Sequence, residues 1–245
     1  MGGIAEVLGE LDGATDGLVS GIQGLTDSEA RDASLLPGWS RGHVLTHLAR
    51  NAEGGTRLLT WARTGHPSYE YESVAARAQA IEIGAGRPAR ELREDVQRTA
   101  EALREAAAAM PPEAWQHTIT WTTGQETEAA HVAESRLAEV LLHHVDLNRG
   151  YGPGDWPPAW TAWMLDRAVR NLNDERNLAP LTAGLHATDT GRGFRLGGRA
   201  GPTASTHISG PEADILAWLM GRSDGAALTR DTTAPLPAVP SIYYT

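Results

Sequence analysis

The 245-residue chain contains no cysteine. Disulfides, thiolate metal ligands and a cysteine nucleophile are thereby excluded, and any thiol chemistry must use sulfur brought in on a small molecule. Phenylalanine is nearly absent as well, one residue against eight tryptophans, so the large aromatic surface is concentrated in a few indoles. No apolar run approaches the ~20 residues of a membrane span. The opening MGGIAEVLGELDG has acidic residues where a secretory signal would be basic. A cytoplasmic protein without a membrane segment is expected. Basic charge is scarce too: 21 Lys and Arg stand against 31 Asp and Glu, a net −10. That argues against a general nucleic-acid binder, which needs a basic face. An anionic substrate must then be captured by individually placed arginines against an unfavourable background field. No clear apolar stripe marks a subunit interface, so a monomer is marginally favoured.

What the chain does have is 41% hydrophobic residues, enough for one large core or two modest ones. Ile4, Leu8, Leu11, Leu18 and Ile22 recur at helical spacing over residues 4–25. Thr26 and Glu29 form a Thr-x-x-Glu cap for a short turn. After the Pro37-Gly38 turn, Ser40 is a good N-cap for a helix running to about Thr64 and stopped by Gly65 and Pro67. A shorter helix is expected over 74–83, and a long one begins near Pro88 and ends at Pro111-Pro112. Residues 118–121 are β-branched and aromatic before a Thr123-Gly124 turn, and residues 128–147 read as the fourth major helix.

This pattern predicts an up-and-down four-helix bundle over residues 1–150. The Gly- and Pro-rich stretch from Gly150 to Pro158 marks a boundary. Residues 151–245 then read as a small α+β domain: a helix over 159–172, strand-like pieces at 184–188, 193–196 and 206–208, and a helix after Ser209-Gly-Pro-Glu. A proline-rich tail from Thr232 is expected to be extended.

Glu139 and His143 stand four residues apart, hence on one helix face. Arg136 and Asp146 flank them, and His47 lies mid-helix beside Val44 and Leu48 on an inward stripe. Two such helices in an antiparallel bundle can bring two imidazoles and a carboxylate together, a set that suits zinc with a fourth position open. A Glu-x-x-x-His pair is more often a solvated face. Here Leu137, Ala138, Val140, Leu141 and Leu142 make the helix largely buried, and a buried Glu and His need partners. Two histidines and one carboxylate also suit iron or nickel. His43 could line such a pocket, His144 points elsewhere, and Trp39 and Trp61 are most simply core residues.

SLLPGWSRGHVLTHLARNA (34–52), LLTWARTGHPSYEYESVAARAQAIEIGAG (58–86), SRLAEVLLHHVDL (135–147) and HISGPEADILAWLMGRSDG (207–225) occur in that order. Together they resemble the mycothiol-dependent maleylpyruvate isomerases. The resemblance covers nearly the whole chain and is weakest over residues 116–130 and 188–205. It implies a DinB-like four-helix metal domain followed by a small α+β domain, and it places the zinc ligands on His47, Glu139 and His143. Candidate substrate arginines fall on Arg77, in the Tyr-x-Ser-x-x-x-Arg stretch, and on Arg222, beside Gly221.

The implied enzyme is a metal- and thiol-dependent cis–trans isomerase using Zn2+, or another divalent metal, with mycothiol. A free thiol has a pKa of about 8.5, and coordination to zinc deprotonates it. The resemblance implies thiolate addition to maleylpyruvate, rotation about the resulting single bond, and elimination to fumarylpyruvate. Arg77 and Arg222 would clamp the dicarboxylate substrate; taken singly, each arginine also fits an ordinary surface salt bridge. The nearest alternative keeps the low-molecular-weight thiol and metal but conjugates another electrophile, as a mycothiol S-transferase. A more distant one is a non-catalytic binding protein on the same scaffold.

Overall fold

The computed structural model describes residues 2–174, 181–197, 206–231, 235–237 and 239. Helix α1 (Ile4–Gly21) buries Val7, Leu11 and Leu18. It ends before the expected Leu25, because Gly24 takes a positive φ of 72° and turns the chain. Helix α2 (Asp27–Arg31) carries the anticipated capping box, with Thr26 and Glu29 bonded reciprocally. Ser40 caps the 24-residue α3 (Arg41–Thr64), and Gly65 closes it in the left-handed region at φ 74°. Both signals were legible because caps depend on local backbone donors alone.

Helices α4 (Val74–Ala85) and α5 (Ala89–Ala108) follow. A short 3-10 turn at Pro112–Gln116 leads into strands β1 (Thr118–Thr120) and β2 (Glu126–Glu128), which pair antiparallel around Gly124 at φ 83°. The hairpin is the reason α6 (Ala130–Asp146) starts two residues later than its pattern suggested. In this half α3 packs against α4, α5 and α6, and α1 packs against α5 and α6.

Two features hold α3 in place. Asp95 on α5, 7% exposed, takes ion pairs from Arg50 at 2.7 Å, Arg87 at 2.8 Å and Arg98 at 2.6 Å. Burial alone would raise its pKa, but the three guanidinium groups outweigh that and lower it. On the other side α4 crosses α3 at glycines: a methyl group on Gly42 would collide with the Ala85 carbonyl oxygen, and one on Gly84 with the Thr46 side chain. Only hydrogen at these positions allows so close a helix crossing. That crossing carries Arg77 to the flank of α3.

The chain divides into two compact units, Gly2–Tyr151 and Gly152–Thr245. The second contains α7 (Pro158–Leu172) and a four-stranded sheet ordered β4-β3-β5-β6. Its strands are β3 (Ala183–Ala187), β4 (Gly193–Leu196), β5 (His207–Gly210) and β6 (Thr229–Arg230), with α8 (Glu212–Leu219) between the last two. Among the described strands, only the β3–β5 pairing is parallel. The two-residue β6 is too short to leave a pattern and was not anticipated. Arg192 ties the layers together through Glu212 at 2.9 Å and Asp166 at 2.7 Å. Most of the tail from Thr232 lies outside the described residues. The molecule is thus mostly helical, α plus α+β. No helix among the described residues is long and apolar enough to cross a membrane.

Candidate metal centre

His47 from α3 and Glu139 and His143 from α6 bring one ligand atom each within 4.8 Å of one another. Glu139 Oε2 is the hub, 2.7 Å from His47 Nε2 and 3.1 Å from His143 Nε2. The two imidazoles meet edge to face, with ring centroids 4.6 Å apart. His47 and His143 are 2% and 4% exposed, whereas the Glu139 side chain retains 25% exposure, so the cluster has one side open.

Protonation follows from this burial. Desolvation pushes His47 down to about 4 despite the Glu139 carboxylate beside it, leaving a neutral imidazole with a lone pair to offer. Burial would raise Glu139, but His47 and His143 outweigh it and hold the carboxylate well below its usual range. Burial would lower His143, yet hydrogen bonds to Asp146 and Glu139 raise it. A neutral imidazole, an ionised carboxylate and a second imidazole oriented through its other nitrogen are what a divalent ion requires of its ligands. The residues present fit the group.

Around the cluster, Arg77 on α4 directs Nη2 to His47 Nδ1 at 3.1 Å, and its guanidinium carbon lies 5.8 Å from the centre of the Tyr71 ring. The loop carrying Glu70 and Tyr71 is pinned by Arg57, which donates to the Tyr69 and Glu70 carbonyls, and by the Tyr71 N–H donating to Thr122 Oγ1 at 3.1 Å. Burial, with Glu139 nearby, pushes Glu70 up to about 7. The buried Tyr71 hydroxyl has no hydrogen-bond partner among the described residues; Arg77 acts on it electrostatically without meeting hydrogen-bond geometry. Arg136, 3% exposed, donates through Nη1 to the Leu48 carbonyl and to Asn51 Oδ1, both at 2.8 Å, while its Nη2 has no hydrogen-bond partner among the described residues. Burial brings it down to about 10.

The expectation for the two tryptophans needs adjustment. Trp39 and Trp61 are half-buried rather than core, and the Trp39 ring meets His47 edge-on at 5.7 Å. His43 completes the cap of α3, its Nδ1 facing the Ser40 N–H at 3.1 Å. His144 stacks on Tyr151 at 3.9 Å, away from the cluster. Arg222 belongs to the C-terminal unit, just beyond α8, where its Nη1 donates to the Met220 carbonyl at 2.8 Å. Glu70 and Tyr71 were not singled out from the sequence; the one signal was a tyrosine-rich loop.

Two imidazoles and a carboxylate that close around one point in a helical bundle, with a buried carboxylate behind one imidazole, make up a candidate metal site. Residues 11–148 match the family described as the mycothiol maleylpyruvate isomerase N-terminal domain, and the chain belongs to that family. The whole fold is similar to the crystal structure of a mycothiol-dependent maleylpyruvate isomerase, with a TM-score of 0.88 and 24% identity, over 98% of this chain and 97% of that one. A histidine-to-alanine mutant of the same description matches equally well, with a TM-score of 0.88. No curated protein matches the chain.

Proposed function

We propose that the protein is a mycothiol-dependent maleylpyruvate isomerase, converting maleylpyruvate to fumarylpyruvate, with a divalent metal, most simply zinc, held by His47, Glu139 and His143. The observation that carries this reading is the convergence of those three side chains within 4.8 Å on one open side of a buried cluster. It agrees with the family of residues 11–148. Bound there, the metal would supply a Lewis acid that keeps a thiol ionised at neutral pH, and the thiol would supply reversible addition to the double bond.

The chain's own residues orient and neutralise. Asp146 accepts from His143 Nδ1 at 2.8 Å and so leaves Nε2 facing the site. Arg77, beside His47, offers a guanidinium to one carboxylate of the substrate and to charge developing on its keto oxygen. Arg222 is proposed as the second substrate arginine. Glu70, titrating near 7, can take up or return a proton at its carboxylate at working pH.

The test is spectrophotometric conversion of maleylpyruvate by zinc-loaded protein, with and without mycothiol, beside His47→Ala. Mycothiol-dependent conversion that the variant loses is expected. No conversion by protein carrying one zinc overturns the isomerase reading, and conjugation of another electrophile to mycothiol is then assayed in its place.

A further inference from the structure

Beside the metal cluster, residues 31–43 enclose an open groove of about 430 Å³. Its walls include Arg31, Ser34, Leu35, Pro37, Trp39 and His43. The groove is linked to the cluster through Trp39, whose ring contacts His43 at 6.1 Å and His47 at 5.7 Å. The loop is rigid where it joins the bundle: Ser34 Oγ donates to the Trp39 carbonyl at 2.8 Å, and the Leu35 N–H donates to the Asp146 carbonyl at 2.9 Å. The groups lining the groove are not all spent on the fold. Among the described residues, Trp39 Nε1 and the exposed Arg31 guanidinium make no hydrogen bond or ion pair. Leu35 is 46% exposed.

We infer that this groove binds the sugar–cyclitol portion of the thiol, an uncharged-to-weakly-charged polyol, with Trp39 as its platform. The inference rests on the thiol-dependent reading above. If the sulfur lies at the His47–Glu139–His143 cluster, the bulky remainder of mycothiol must extend away from it, and Trp39, which meets His47 edge-on and lines the groove, joins the two places. Polyol rings present apolar C–H faces and a rim of hydroxyls. They are met by an indole together with unspent donors, here Nε1 and a guanidinium. A groove lined by Arg31 with no acidic side chain among its lining residues suits hydroxyl acceptors and disfavours a cationic ligand. Its occupant acts as the handle that fixes where the sulfur sits.

The probe is the thiol-free N-acetylglucosaminyl-inositol, titrated into metal-free full-length protein while the indole N–H signals are followed by NMR; the Trp39 signal is identified by its loss in Trp39→Phe. A saturable shift of that signal is expected, together with weakening on the order of tenfold in Arg31→Ala or Trp39→Ala. N-acetylcysteine, which lacks the sugars, should bind the zinc-loaded wild type and Arg31→Ala equally. An unmoved Trp39 signal at saturating probe, or equal affinity in all variants, overturns the inference. Because the probe carries no sulfur and the protein no metal, this outcome is independent of the isomerase assay. Active enzyme with an unmoved Trp39 sinks the groove alone, and inactive enzyme with a shifted Trp39 sinks the isomerase reading alone.

Discussion

His143 donates its Nδ1 proton to Asp146 Oδ2 across 2.8 Å, and the Asp146 carboxylate is 0% exposed. An ionised carboxylate can only accept, so the imidazole is held in the tautomer whose Nε2 faces Glu139. An outer partner of this kind typically contributes 10- to 100-fold in metal affinity. Asp146→Asn keeps the shape and removes the charge, and zinc affinity should fall by about tenfold, read by competition with a chromogenic chelator. Unchanged affinity would reduce Asp146 to a helix-end role.

Among the described residues the buried Tyr71 hydroxyl meets no group in hydrogen-bond geometry, with Arg77 acting on it by charge. A desolvated, unpaired hydroxyl costs about 1–3 kcal/mol. Tyr71→Phe should therefore leave stability equal or raise it by up to ~1 kcal/mol in urea unfolding. A clear loss of stability would mean that the hydroxyl is satisfied in solution.

Glu70 titrates near 7 in the fold and near 4.5 as an ordinary side chain. Between these values the folded chain binds the additional proton, so stability falls as pH rises from 4.5 to 7. Glu70→Gln cannot ionise. It should match the wild type at acid pH and exceed it above neutrality by on the order of 2 kcal/mol. Thermal melts at about pH 5 and about pH 8 decide the matter, and an equal gain at both excludes the titration.

Gly42 faces the Ala85 carbonyl where α4 crosses α3, whereas a methyl on Gly9 of α1 would meet nothing within 4 Å. Gly42→Ala should cost about 1–3 kcal/mol through overpacking. Gly9→Ala should be neutral or stabilising by up to ~1 kcal/mol. Denaturation midpoints compare them directly. Displacing α4 also moves Arg77, the proposed substrate arginine, so Gly42→Ala should lower maleylpyruvate conversion even where it folds.

The three proposed ligands were legible in the sequence because helical spacing is a strong signal. Glu139 and His143 had to share a face, and His47 sat on an apolar stripe. Asp146 was legible for the same reason, one turn beyond His143 and two beyond Glu139. Trp39 was not. It was read as core, and its position beside His47 depends on how the 33–40 loop folds back, including the backbone pairing of Ala33 with Ser40. Glu70 and Tyr71 lie in a loop without periodicity, and their perturbed chemistry arises from neighbours on α3, α4, α6 and the β-hairpin. β1 and the turn after it were visible as a β-branched run before Thr123-Gly124, whereas β2 and β6 escaped because strands of two or three residues carry too little alternation to register.

The sequence by itself determined the helices, their caps and the exclusion of protein thiols, because spacing, capping and composition act within a few residues of chain. Only the tertiary structure decided that His47 and Glu139, 92 positions apart, share a contact at 2.7 Å. It also decided that Arg77 reaches His47 across a glycine crossing. The same burial pushes Glu70 and His47 in opposite directions, one held near neutrality as an acid, the other kept neutral as a base. Desolvation and convergence depend on which distant surfaces pack together, and no local pattern encodes that.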